Sequence, residues 1–76
     1  MSDDSISIVR RCVTLDRTSK VPLYRQLYRD LRRAILSSQL LPAMRLPATR
    51  PLADELDLSR NTVQSAFDQL KDEGYL

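Results

Sequence analysis

Residues 49–63 read TRPLADELDLSRNTV, a pattern that predicts two helices joined by a tight turn. Pro51 is tolerated in the first turn of a helix, because the backbone N–H groups there have no partner within the helix. The first helix then carries a short apolar stripe: Leu52, Ala53, Leu56. Asp57 interrupts the stripe, and aspartate adopts the left-handed conformation of a tight turn more readily than most residues. We therefore expect a helix of about two turns that begins near Thr49.

The second helix is predicted to begin after Ser59, since serine is a preferred N-cap residue. Its buried face is marked by apolar residues within an arc of about 100°: Val63, Ala66, Phe67, Leu70. Gly74 should end this helix, because glycine takes the left-handed C-terminal conformation at little cost. The small side chain of Ala53 lets the two helices cross closely. Together these features predict a helix-turn-helix unit, whose second helix enters the major groove of DNA.

The outer face of the second helix carries polar side chains suited to reading bases: Arg60, Asn61, Gln64, Ser65. Arginine can pair with guanine, and asparagine or glutamine with adenine, each good pair giving about 1–3 kcal/mol of discrimination. Most polar helix faces are merely solvated. The adjoining turn and the absence of acidic residues between Asp57 and Asp68 favour DNA contact instead. We expect a recognition helix over about residues 60–73, presented to double-stranded operator DNA.

A longer helix is predicted upstream of this unit. Pro22 stands where a first helical residue would, and apolar residues recur behind it at every fourth position: Leu23, Leu27, Leu31, Ile35. The opposite side of this helix is basic: Arg25, Arg29, Arg32, Arg33. A solvated face, a phosphate clamp and a dimer surface are equally open interpretations of these arginines.

The remaining segments give weaker signals. Residues 44–46, between Pro42 and Pro47, are long enough for one short strand. Residues 1–20 show only a weak alternation of apolar residues, so we expect an extended or partly disordered arm there. The predicted architecture is mainly helical, with one domain over residues 21–76.

Composition narrows the function further. The chain has 76 residues, no histidine and one cysteine, Cys12. It therefore lacks the cysteine and histidine spacing of a zinc site, and it lacks histidine, the commonest general base of enzymes. Catalysis and metal binding are therefore not expected, and Cys12 is expected to be inert. No apolar run is long enough to cross a membrane, and the acidic start differs from a signal peptide, so a cytoplasmic protein is expected. Residues 10–50 hold ten basic residues against two acidic ones, which suits a polyanionic partner.

From Val21 onward the chain resembles the N-terminal domain of the GntR family of bacterial transcription regulators, most closely its MocR branch. The resemblance is carried by PLYRQLY (22–28), RLPATR (45–50), Leu52-Ala53, SRNTV (59–63) and EGYL (73–76). Taken together these motifs are specific, whereas any one alone would be weak. Three residues depart from the family pattern, none on the expected DNA face: Ala43, Asp57, Phe67.

The resemblance implies a three-helix winged helix-turn-helix whose wing is cut short after Leu76. It also implies that Arg50 grips phosphate or base, with further DNA contacts from its neighbours and the recognition helix: Arg45, Thr49, Ser59, Arg60, Asn61, Thr62, Gln64. In the MocR branch a pyridoxal phosphate-binding domain follows, although no residue of this chain supports a cofactor. A homodimer reading paired half-sites is expected. The alternative is a helical dimerisation or protein-interaction module, using the apolar face that a missing wing would expose.

Overall fold

The computed structural model describes residues 4–38 and 48–75, and within these ranges it contains four helices and no strand. The helices are α1 (Asp4–Cys12), α2 (Leu23–Leu36), α3 (Thr49–Leu56) and α4 (Arg60–Asp72). Helix α4 packs against both α2 and α3, and α1 packs against the same two helices. The mainly helical class is confirmed. The strand predicted at residues 44–46 lies outside the described residues, and the wing stays a prediction.

Two of the three predicted helix starts, those of α3 and α4, lie where the sequence placed them, whereas Pro22 is the N-cap of α2 and not its first helical residue. Pro22 precedes α2, and its carbonyl accepts hydrogen bonds from the backbone N–H groups of Arg25 and Gln26, both at 3.1 Å. Helix α3 starts at Thr49 and is eight residues long. Helix α4 stops before Gly74, whose φ of +83° is the left-handed conformation expected of a glycine there.

One apolar core lies between the helices. Its buried residues come from all four elements: Val9, Leu27, Leu31, Ala34, Leu52, Ala53, Val63, Ala66, Phe67, Leu70. The spacing of three and four along α2 and α4 places these residues on one face of each helix. Ala53 is only 2% exposed, as its role at the crossing of α3 and α4 requires. The core thus fixes α4 against α3 from behind and leaves its polar face outward.

Residues 4–12 do not belong to the extended or partly disordered arm that the sequence suggested for residues 1–20. Residues 4–12 form α1, and Val9 is fully buried in the core. The alternation of Ile6 and Ile8 was misleading, because Ile8, Val9 and Cys12 follow a helical spacing instead. A nine-residue helix is marginal in isolation. Its stability therefore comes from packing against α2 and α3, an interaction that local sequence patterns do not reveal.

The segment between α1 and α2, residues 13–21, is held to α2 by side-chain hydrogen bonds; we call it the strap. The amide nitrogen of Gln26 donates to the carbonyls of Asp16 (3.0 Å) and Val21 (2.8 Å), and its oxygen accepts from the Asp16 N–H at 2.8 Å. Asp30 accepts from the Thr14 N–H at 2.9 Å. Gln26 thus binds both ends of the loop formed by residues 16–21 and fixes the shape of that loop.

A tight turn lies inside the strap. The Asp16 carboxylate accepts hydrogen bonds from the backbone N–H and the hydroxyl of Thr18, at 3.0 and 2.6 Å. These two bonds hold the pKa of Asp16 below its usual value, because they stabilise the charged carboxylate. Arg17, which lies between Asp16 and Thr18, is at the corner of this turn.

Candidate nucleic-acid interface

The turn between α3 and α4 has the geometry that Asp57 predicted. Asp57 is left-handed, with φ 55° and ψ 49°. The N–H of Leu58 then donates to the carbonyl of Ala53 at 2.9 Å, which satisfies an end carbonyl of α3. Leu58 itself packs against the core. The turn therefore closes α3 and starts α4 within three residues.

Ser59 caps α4 as its sequence position predicted. Its hydroxyl oxygen accepts from the Thr62 N–H at 3.1 Å and lies 2.8 Å from the Thr62 hydroxyl. The cap satisfies one of the unpaired N–H groups at the helix start. These two predicted contact residues thus have a structural role in this structure, and Ser59 remains exposed beside the open N-terminus of α4.

An open cleft of about 230 Å³ lies where the starts of α3 and α4 meet. All five of its lining residues belong to the predicted DNA-binding set: Thr49, Arg50, Arg60, Asn61, Gln64. No acidic side chain lines it, and it carries two guanidinium groups, so its field favours an anion. Ser65 is exposed but does not line the cleft, and Arg45 lies outside the described residues.

Gln64 is oriented by a partner on each side. Its oxygen accepts a hydrogen bond from the Thr49 hydroxyl at 3.1 Å, and its nitrogen donates to the Asp68 carboxylate at 2.8 Å. A hydroxyl can donate or accept, whereas an ionised carboxylate only accepts. Asp68 therefore decides which way the amide points. The sequence alone assigned no role to Asp68, although its spacing of four from Gln64 is the signal for this pair.

Arg17 is a second residue whose role the sequence did not reveal. Its guanidinium donates to the carbonyls of Leu56 and Asp57, at 2.9 and 3.1 Å. These carbonyls end α3 at the turn. No local motif links residue 17 to residues 40 positions later, so only the folded arrangement brings them together.

The far ends of α2 and α4 are joined by polar contacts. The Tyr28 hydroxyl donates to the Glu73 carboxylate, which raises the pKa of Tyr28. Arg32 donates to the Tyr75 hydroxyl at 3.0 Å, and its guanidinium carbon lies 5.5 Å from the centre of the Tyr75 ring. Arg32 thus makes an intramolecular contact, while the other three basic residues of this face are exposed: Arg25, Arg29, Arg33.

The alternative of an apolar interaction face finds little support in the described residues. Their only large hydrophobic side chains that are exposed are Tyr24, at 38%, and Leu36, at 61%. Two separated side chains do not form the contiguous patch that marks a protein interface. The exposed surface beside the turn is polar and basic instead.

Other kinds of site find no support in the same residues. Burial raises the pKa of the Cys12 thiol, with the Asp30 charge adding to the effect, so little reactive thiolate forms near neutral pH. Residues 4–38 and 48–75 hold no group of side chains suited to a metal ion. No helix in these two ranges is long and apolar enough to cross a membrane.

Comparison with known proteins identifies the domain. The family model for bacterial regulatory proteins of the gntR family matches residues 23–76. The chain belongs to the GntR family. The matched region thus holds the helix-turn-helix of this family of bacterial regulators. No solved structure matches the chain significantly.

Curated relatives agree with this assignment. The probable rhizopine catabolism regulatory protein MocR of Rhizobium meliloti is 50% identical over 84% of this chain and 13% of its own length. An uncharacterised regulator of Bacillus subtilis, YdeL, is 42% identical over 82% of the chain and 13% of its length. The repressor NagR of the same species is 34% identical over 84% of the chain and 26% of its length. The chain therefore spans only a small part of these regulators, and the MocR likeness read from its motifs is confirmed.

Proposed function

We propose that this GntR-family domain binds double-stranded operator DNA, with the first two turns of α4 in the major groove. The observation that carries the proposal is the cleft at the starts of α3 and α4, all of whose lining residues have DNA-reading or phosphate-binding chemistry. In this proposal Arg50 holds the phosphate backbone, and Arg60, Asn61 and Gln64 reach base edges.

We extend this proposal to a whole regulator that contains this domain. Two copies of the domain would read paired half-sites about one helical turn, or a multiple of it, apart. A pyridoxal phosphate domain further along the protein, as the resemblance to the MocR branch implies, is likewise proposed for the whole regulator and not for these residues.

The salt dependence of binding tests the phosphate contacts. A duplex that the chain selects from a randomised library is labelled, and its binding is followed by fluorescence anisotropy over a series of salt concentrations. Each phosphate contact should contribute a slope of about −0.9 in a plot of log affinity against log salt. Arg50→Ala should make the slope shallower by about that amount. An affinity that does not respond to salt, or the selection of no sequence at all, would contradict the proposed function.

Asp68 provides a test of how Gln64 reads DNA. In Asp68→Asn the carboxylate becomes an amide that can donate or accept, so Gln64 is no longer held one way round. We expect a broader base preference at one operator position, by about tenfold, while binding to unrelated DNA becomes tighter because a negative charge is lost. Library selection with each variant measures both effects.

Asp72→Asn is the matched control for this experiment. It removes the same charge from α4, yet Asp72 lies two helical turns beyond the cleft. It should tighten non-specific binding without changing base preference. Equal preferences in the Asp68 variant and the unmodified chain would mean that this carboxylate does not orient a reading side chain.

A further inference from the structure

The strap brings a cation to the turn that joins α3 to α4. The Arg17 guanidinium donates to two successive carbonyls, those of Leu56 and Asp57, at 2.9 and 3.1 Å. The last carbonyls of a helix have no partner within it, and they carry the negative end of the helix dipole. A cationic donor such as the Arg17 guanidinium therefore stabilises both carbonyls at once.

The position of Arg17 is itself fixed from two directions. Asp16, its neighbour, forms the tight turn with Thr18, and the Gln26 side chain binds the ends of the same loop at Asp16 and Val21. Gln26 lies on α2, and the turn carbonyls lie at the end of α3. Arg17 thus links α2, through the strap, to the turn of the helix-turn-helix.

A second contact supports the same connection. Arg10 on α1 forms an ion pair with Glu55 on α3 at 2.8 Å, so the last turn of α3 is held by α1 as well as by the strap. The exposed pair is weak on its own. The contact of Arg17 is different, because one terminal nitrogen, Nη2, donates to two backbone carbonyls of the turn and not to a mobile side chain.

We propose that Arg17 is a positioning residue for DNA recognition: it fixes the turn carbonyls of Leu56 and Asp57 and so sets the angle at which α4 is presented. The inference rests on the proposed function in that α4 is the helix that reads DNA. Arg17 itself touches no base or phosphate. Its loss lets the turn open and spreads the orientations of Arg60 and Asn61 relative to the groove.

Amide hydrogen exchange tests the positioning role without any DNA. In the Arg17→Ala variant of the full chain, the N–H groups of Asp57 and Leu58, which donate to α3 carbonyls, should exchange faster than in the unmodified chain. Amides of the core residues Leu31 and Leu70 should keep their protection. Lys20→Ala is the control, because it removes a positive charge from the same exposed segment. Unchanged exchange at the turn in Arg17→Ala would overturn the proposal, even if the domain binds DNA.

DNA binding then separates positioning from direct contact. With the duplex selected by the unmodified chain, Arg17→Ala should lose about tenfold in affinity, the equivalent of one base contact, with an unchanged salt slope. Arg17→Lys, which keeps a donor and the charge, should recover part of the loss. A slope shallower by about 0.9 would assign Arg17 to a phosphate and overturn the proposal. Failure of the unmodified chain to select DNA would instead contradict the proposed function, and the exchange data would still decide the role of Arg17 at the turn.

Discussion

Replacing Val9 by aspartate is expected to remove a large part of the stability of the domain. Val9 is fully buried in the apolar core, and no buried cation is available among the described residues to pair with a new carboxylate. An uncompensated buried charge costs about 3–5 kcal/mol. A domain of this length is stabilised by only roughly 4–11 kcal/mol. Urea denaturation followed by circular dichroism should show a midpoint shifted strongly toward zero denaturant.

Ser7→Asp is the matched control for Val9→Asp. It places the same charge on α1 two residues away, where the side chain is exposed. Its unfolding midpoint should stay close to that of the unmodified chain, because surface substitutions usually change stability by less than about 0.5 kcal/mol. Similar midpoints for the two variants would show that α1 does not contribute to the core, and the folding unit would then begin near α2.

The second large effect is expected at the start of α4. Arg60→Ala and Asn61→Ala each remove a side chain that can form a two-pronged contact with a base, which corresponds to about 1–3 kcal/mol. Affinity for the selected duplex should fall by roughly tenfold to a hundredfold. The loss of preference should fall on one operator position for each variant, and the two positions should differ. Competition against duplexes carrying single base-pair changes measures this directly.

Folding should survive both substitutions. The two side chains are exposed, and alanine is at least as good a helix former as arginine or asparagine. Lys71→Ala is the control, since Lys71 is an exposed cation in the last turn of the same helix and far from the cleft. The base preference of the Lys71→Ala variant should equal that of the unmodified chain. If Arg60→Ala and Asn61→Ala bind every altered duplex in the same order as the unmodified chain, α4 does not read bases through these residues.

The helix-turn-helix was predictable because its signals are local. Asp57 forms the turn, Ser59 caps α4 and Gly74 ends it. Each of these residues lies within a few positions of the feature that it determines. The apolar periodicity of α2 and α4 is similarly complete in the sequence. The cleft followed from these elements, because a correct turn places the starts of both helices side by side.

The parts that sequence reasoning missed depend on distant contacts. Helix α1 is too short to be stable alone, and Val9 is held by residues that lie far along the chain. Arg17 meets its partners 39 and 40 positions later. Such pairings leave no periodicity or spacing, so only the packed arrangement of α1, α2 and α3 determines them.

The two partners of Gln64 have a thermodynamic consequence for association. A long side chain that is free in solution loses rotational freedom when it docks, which costs about 0.5–1.5 kcal/mol. Thr49 and Asp68 have already restricted Gln64 in the unbound domain. Part of that entropy is therefore lost during folding, and less of it has to be lost when the domain meets its operator.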